Sequence, residues 1–368
     1  MPLVGYCMSD TDGEGEQPSD TMRQRVPESS AKFWFMLDAD RWVVTTLISA
    51  TVFFGVVVFG VVAPTAPSQL LTNGDPLETL FQAIIGATVT GVTLVLTLSQ
   101  LVLSQEQGPV GDQRERMEGA MSFRRDVEDV IQESVSPAQP SAFLRSLVKL
   151  TRRRAEAVQD AVDDIDDDDL SKQVETFVDS LEENAEAVAS NLEGAQFGEF
   201  DVVFSALNYN YSWKLYAARR IRAENEDVLT EPAIEAFEEL VDALELFGPA
   251  REHFKTLYFQ WELTNLSRTI LFTAIPALIV AISMLLFFEV SAITSTTFGH
   301  TDALYLVALA VTVSLLPFAI LLSYILRIVT VTKRTLAIGP FVLRETDRER
   351  DLDWGETEAK SGDSAGLD

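Results

Sequence analysis

The chain has 368 residues, a net charge of −28, 47% hydrophobic and 23% charged residues, and a mean hydropathy of +0.13. A chain at once this apolar and this charged keeps its two kinds of sequence apart, which excludes a uniform soluble globule and points to membrane helices plus a polar domain. The acid excess excludes a nucleic-acid partner by repulsion, and with 21 Arg against 7 Lys it points to an extreme halophile, an archaeon with a salt-rich cytosol.

Residues 1–31 are rich in Asp, Glu, Ser, Gly and Pro without periodicity, and are expected to be disordered, with Met8 or Met22 as alternative starts. They lack the apolar core of a signal peptide. Phe33, Trp34, Phe35 and Trp42 then bracket Arg41 before an apolar run, the pattern of an aromatic belt with a cationic anchor. A first span is predicted over about 42–63, ended by Pro64 and Pro67. The Asn73-Gly74-Asp75-Pro76 turn leads to the second span, about 80–104.

The second span carries a row of polar or small residues at steps of three and four: Thr79, Gln82, Gly86, Thr90, Thr93, Thr97, Gln100, Ser104 and Gln107. In a helix these share one slowly drifting face. Two readings stand for it. Small and hydroxylated residues let membrane helices pack closely, so the row can be a seam against a neighbouring helix. Polar groups in a span also face aqueous cavities, and Gln82 and Gln100 each need several partners that lipid cannot supply. Glu106 would then stand at the inner mouth, with Asp75 and Glu78 near the outer one, an arrangement favouring cations. No potassium-filter sequence is present.

The segment 110–268 reads as a helical bundle. Gly108-Pro109 marks its start; Ser141 is expected to cap a first amphipathic helix, and a second begins near Leu170. A third, aromatic-rich helix is predicted over about 200–224, and a fourth from Thr230 to the Gly248-Pro249 stop. From about Ala250 the helical pattern runs on into the third span, about 269–290, with no strong breaker, so a continuous helix is expected to couple bundle and membrane. A fourth span covers about 303–326; Pro276 and Pro317 inside these spans predict kinks. The tail 346–368 is again acidic and expected to be disordered.

Lys and Arg fall in three places only: 4 before the first span, 17 between the second and third, and 7 after the fourth. The short loops 64–79 and 291–302 have none. The positive-inside rule therefore puts both termini and the central segment in the cytoplasm. The expected architecture is an all-α membrane protein: four transmembrane helices, with a helical cytoplasmic domain between spans 2 and 3. Its parts are 1–31, a hairpin over 32–109, the domain 110–268, a second hairpin and anchor over 269–345, and the tail 346–368.

Other features read as structural. Asp163-Asp164-Ile165-Asp166-Asp167-Asp168-Asp169 lacks the spacing and glycine of a calcium loop and reads as a solvated connection. Arg152, Arg153 and Arg154 are expected to pair with the acidic bundle, and Arg327, Lys333 and Arg334 to anchor the fourth span. The lone Cys7 excludes an internal disulfide, and His253 and His300 are too far apart to make a metal motif. No phosphate loop, nucleophile elbow, HExxH helix or CxxC pair occurs, so neither enzyme nor cofactor is expected.

The stretch Thr88 to Pro109, with its Thr, Gly and Ser studs and its Ser104-Gln105-Glu106-Gln107-Gly108-Pro109 ending, resembles a span found in uncharacterised prokaryotic multi-pass membrane proteins. It departs from them at Val110, where an Arg would follow the Pro. The resemblance implies an integral membrane protein without assigned activity. Two functions remain open: an oligomeric pore for small ions, lined by Gln82, Gly86, Thr90, Thr93, Thr97, Gln100 and Ser104, or a membrane scaffold or sensor whose bundle meets a cytosolic partner.

Overall fold

A computed structural model describes residues 34–35, 39–64, 69, 71, 75–196, 200–334, 337–338 and 341–342. The expectations for residues 1–31, for Cys7 and for the tail 346–368 lie outside that range. The described chain is almost wholly helical. Strand pairing among these residues is confined to two-residue antiparallel bridges, 296–297 with 300–301 and 337–338 with 341–342.

Helix α1 (Arg41–Val62) starts where the Asp40 carboxylate accepts the Trp42 N–H at 2.7 Å. Helix α2 (Pro76–Glu106) follows Asp75, which holds the left-handed φ of 54° so that Pro76 can open the first turn, where a missing N–H costs nothing. Gln107, Gly108 and Pro109 separate it from α3 (Val110–Ile131). Helix α4 (Pro140–Val162) begins one residue before the expected cap, because Pro140 takes the first helical position and Ser141 lies buried inside the turn. Asp167 caps α5 (Asp168–Leu192), accepting the N–H groups of Asp169 and Leu170, so the Asp run serves the bundle's own geometry.

The third bundle helix is two pieces rather than one: α6 (Phe200–Leu207) and α7 (Tyr211–Glu224). The break holds because buried groups occupy it. Asn184 donates from Nδ2 to the Asn208 carbonyl at 3.0 Å, and fully buried Tyr209 shares a hydrogen bond with Thr151. An interrupted helix is stable here because its freed backbone finds side-chain partners.

The expected stop at Gly248-Pro249 is absent. Helix α8 (Glu231–Phe287) runs unbroken for 57 residues through Pro249 and Pro276. An interior proline costs about 3 kcal/mol. Leu244, Phe247 and Ala250 are buried on both sides of Pro249, and each fully buried large apolar side chain contributes about 1.5–3 kcal/mol, so packing outweighs the lost hydrogen bond. The expected continuity from the bundle into the third apolar run is therefore observed, with no break between Gln260 and Arg268.

The fourth apolar run is broken. Helix α9 (Asp302–Ser314) and α10 (Leu316–Arg334) are bent by 48° at Leu315. Pro317 has no N–H for the Val313 carbonyl, and the Leu315 N–H, which keeps its ordinary bond to Val311, is shared with that carbonyl. Three helices, α1, α2 and α8, are each long and apolar enough to cross a membrane, and the α9–α10 pair passes the same test when taken as one span. This is consistent with a membrane protein.

Two cores result. α4, α5, α7 and the first half of α8 close over Leu144, Leu147, Val178, Leu181, Phe237 and Leu244, all fully buried. The apolar helices are thinly packed: α2 lies on α8 and touches α9 and α10, both of which also lie on α8, and α1 covers α9 and α10. Small residues spaced along α8 (Ser267, Ala274, Ala277, Ala281) are buried and let its neighbours approach. Phe54, Phe59, Phe272, Ile275, Leu286 and Phe318 remain exposed outside, as expected of surfaces that meet lipid.

Candidate functional site

Helix α2 buries only a narrow strip. Phe81 and Ile84 pack with Ala281, Val307 and Val311, while Val95 packs with Leu266, Ile270 and Ile320. Ser99 meets Ser267 of α8 through their hydroxyls. The polar row lies off this strip. Thr79, Gln82, Gly86, Thr90, Thr93, Thr97, Gln100, Ser104 and Gln107 are all exposed. Among the described residues, no other helix covers them.

The row's hydroxyl protons are spent on its own backbone. Thr90 donates to the Gly86 carbonyl at 2.8 Å, Thr93 to Val89 at 2.9 Å, Thr97 to Thr93 at 2.9 Å and Ser104 to Leu101 at 2.7 Å. What these residues present outward is therefore oxygen lone pairs. The Gln82 and Gln100 amides have no hydrogen-bond partner among the described residues. A Cβ built on Gly86 meets nothing within 4 Å. Glu106 is the last residue of α2, and its side chain lies outside the described residues.

Two groups carry signals that spacing alone does not reveal. On the buried side of α2, Thr88 and Gly91 line a cavity of about 80 Å³ with Ile270, Ser314 and Pro317 at the α9–α10 bend. The Ser314 hydroxyl there is buried and has no hydrogen-bond partner among the described residues. At one end of the apolar helices, Arg41 pairs with the buried carboxylate of Glu262, donates to the Tyr258 hydroxyl at 3.0 Å and lies 4.1 Å over the Tyr324 ring. Burial pushes the Tyr258 phenol above its usual range, against the opposing pull of Arg41 and Arg327. Arg327, expected only as an anchor, donates to the Ala39 carbonyl at 2.6 Å and stacks 5.0 Å over Phe200. The side chains of Lys333 and Arg334 lie outside the described residues.

Two of the three arginines pair with bundle acids as expected, Arg152 with Glu156 and Glu186 and Arg154 with Glu239; exposed Arg153 has no ion pair among the described residues. From the sequence Arg41 reads as the cationic anchor before α1, without a partner to name. Its partner stands among many acidic residues, and nothing local distinguishes Glu262 from them.

The DUF7972 family, a family of unknown function, matches residues 8–356. The chain belongs to that family. The DUF7972 match takes in every helix described above, and so extends far beyond the 22-residue resemblance around α2. No curated protein and no solved structure matches the chain. Within this DUF7972 chain, the features that a function can be built on are the uncovered oxygen-lined face of α2 and the ion pair that ties α1 to α8.

Proposed function

We propose that this protein is a four-span cytoplasmic-membrane protein of a halophile. The 110–268 bundle and both termini lie inside, and copies assemble around α2 to form a pore for small ions. The observation that carries the proposal is the exposure of the whole polar row, with two glutamine amides that have no partner among the described residues. Facing hydrocarbon, such a row would leave amide donors and acceptors unmet at several kcal/mol each. Facing its copies around a shared axis, it meets water and ions.

Because the Thr and Ser protons point back to the helix, the lining formed by Thr90, Thr93, Thr97 and Ser104 offers acceptors, which suits cations. Gln82 and Gln100 supply adaptable amides at the two ends, and Glu106 marks the inner mouth. Neither an enzyme activity nor a nucleic-acid partner enters this reading.

The same backbone bonds favour a second reading. A threonine that satisfies itself is also a good packing residue, so the row can be a dry seam between copies. The unbroken α8 would then make the protein a scaffold or sensor whose bundle binds a cytosolic partner. Ion flux into liposomes holding the purified protein, compared with Thr93→Trp, separates the two. Loss of flux in the variant is expected for a pore; flux absent from the native protein, or unchanged by Trp, removes it.

A further inference from the structure

Just beyond the polar row, every residue from Gln107 to Ser122 is exposed. Helix α3 joins the bundle core only through its second half, where Phe123, Val127 and Ile131 pack beside Phe143. Its first three turns bury no residue, and Cβ atoms built on Gly111 and Gly119 find no neighbour within 4 Å. A helical stretch of this length, weakened by two glycines at about 1 kcal/mol each, is marginal by itself in water. A partner along this face would steady it.

The uncovered face names its occupant. Val110, Arg114, Met117 and Met121 are spaced 4, 3 and 4 apart, the step of a two-helix seam, on the side of α3 turned away from Phe123. Val110 is 86% exposed and Met117 64%. Within this row Arg114 bonds Glu118 at 2.7 Å, both groups standing in solvent with donors and acceptors to spare. Across the chain acidic residues outnumber basic ones 56 to 28, yet residues 110–125 hold four Arg against three acidic residues. This is where the general repulsion between copies falls away. An anionic membrane surface would call for a broader apolar face and a clear cationic excess.

From this placement we infer that α3 pairs with α3 of a second copy, extending the contact between copies beyond the end of α2, with Met117 and Met121 in the seam and Arg114 of one copy meeting Glu118 of the next. The inference rests on the assembly around α2 proposed above. The flexible methionines suit such a seam, because they fill irregular gaps without strict complementarity.

The test uses full-length protein in liposomes. Cys7→Ser removes the native thiol, and single cysteines are placed by Met117→Cys, Met121→Cys, Thr93→Cys and, on an exposed bundle turn, Asp164→Cys. Oxidation is expected to join copies at positions 117 and 93 and not at 164. Joining at 93 without 117 or 121 overturns the α3 contact and leaves the α2 assembly standing; joining at none of the three removes both. A fluorophore coupled to the Met117→Cys protein and quenched by brominated lipid also overturns the contact, because the face then meets the bilayer. Arg114→Glu is expected to reduce joining at 117 about tenfold, and the added Glu118→Arg to restore it. An α3 held by the bundle alone would respond to neither change.

Discussion

Arg41, the first residue of α1, is paired with Glu262, midway along α8, across 221 residues of sequence. The Glu262 side chain is 3% exposed and that of Arg41 15%, so this is an ion pair largely removed from water. It joins the start of the first apolar helix to the helix that runs on from the bundle.

Removing one partner strands a buried charge. Glu262→Gln is expected to destabilise the purified protein by about 3 kcal/mol, and Arg41→Met/Glu262→Leu by less than the sum of its single changes. Thermal unfolding in detergent followed by circular dichroism checks both. A Glu262→Gln protein that melts with the native one would show that the pair contributes nothing.

Gly248 gives a sharper steric case. An added Cβ would lie 2.8 Å from Tyr211 Cε2, and that ring is held between Phe247 and the Arg251 guanidinium. Gly248→Ala should cost about 1–3 kcal/mol despite a better helix propensity. Gly86→Ala meets open space within the chain and should raise stability of an isolated subunit by up to about 1 kcal/mol. Weaker assembly of Gly86→Ala on a sizing column would mean that another copy approaches this glycine closely.

Glu182 is held above the usual carboxylate range by burial, with Glu156 adding to the effect against Arg152. A raised carboxyl pKa means that the folded state prefers the proton. Ionisation above that value costs stability, and lowering the pH through it removes the cost. Glu182→Gln should therefore stabilise the bundle at neutral pH, by about 0.5 kcal/mol for a partly exposed site, with the gain vanishing in acid. Denaturant melts at two pH values measure it.

Glu128 has the opposite sign. The Ser136 backbone N–H and hydroxyl both donate to its carboxylate at 2.8 Å and hold its pKa below the ordinary value. Its contribution is complete above the unfolded value of 4.5 and fades as pH falls through the lowered one. Hydrogen exchange at the α3–α4 turn should accelerate in that acid window, and Glu128→Gln should abolish the acceleration.

Period and punctuation made much of the helical order legible. The amphipathic rhythm of α4 and α5 needs only local spacing, and so does the apolar length of α1 and α2, because a helix places neighbours by counting residues. Breakers were less reliable. Pro249 read as a stop and is not one, since Phe247 and Ala250 are buried around it; residues 208–210 carry no proline or glycine, yet break a helix through Asn184 and Thr151 contributed from elsewhere.

The polar row of α2 was fully written in the order of residues, because steps of three and four must share a face of any helix. Which way that face turns was not. A helix shows the same stripe whether a neighbour covers it or not, and only the docking of Phe81, Ile84 and Val95 onto α8 and its neighbours leaves the row outside. The Arg41–Glu262 pair, too, belongs to tertiary structure alone: charges far apart in the chain become partners when packing brings them together, and no local pattern encodes that meeting.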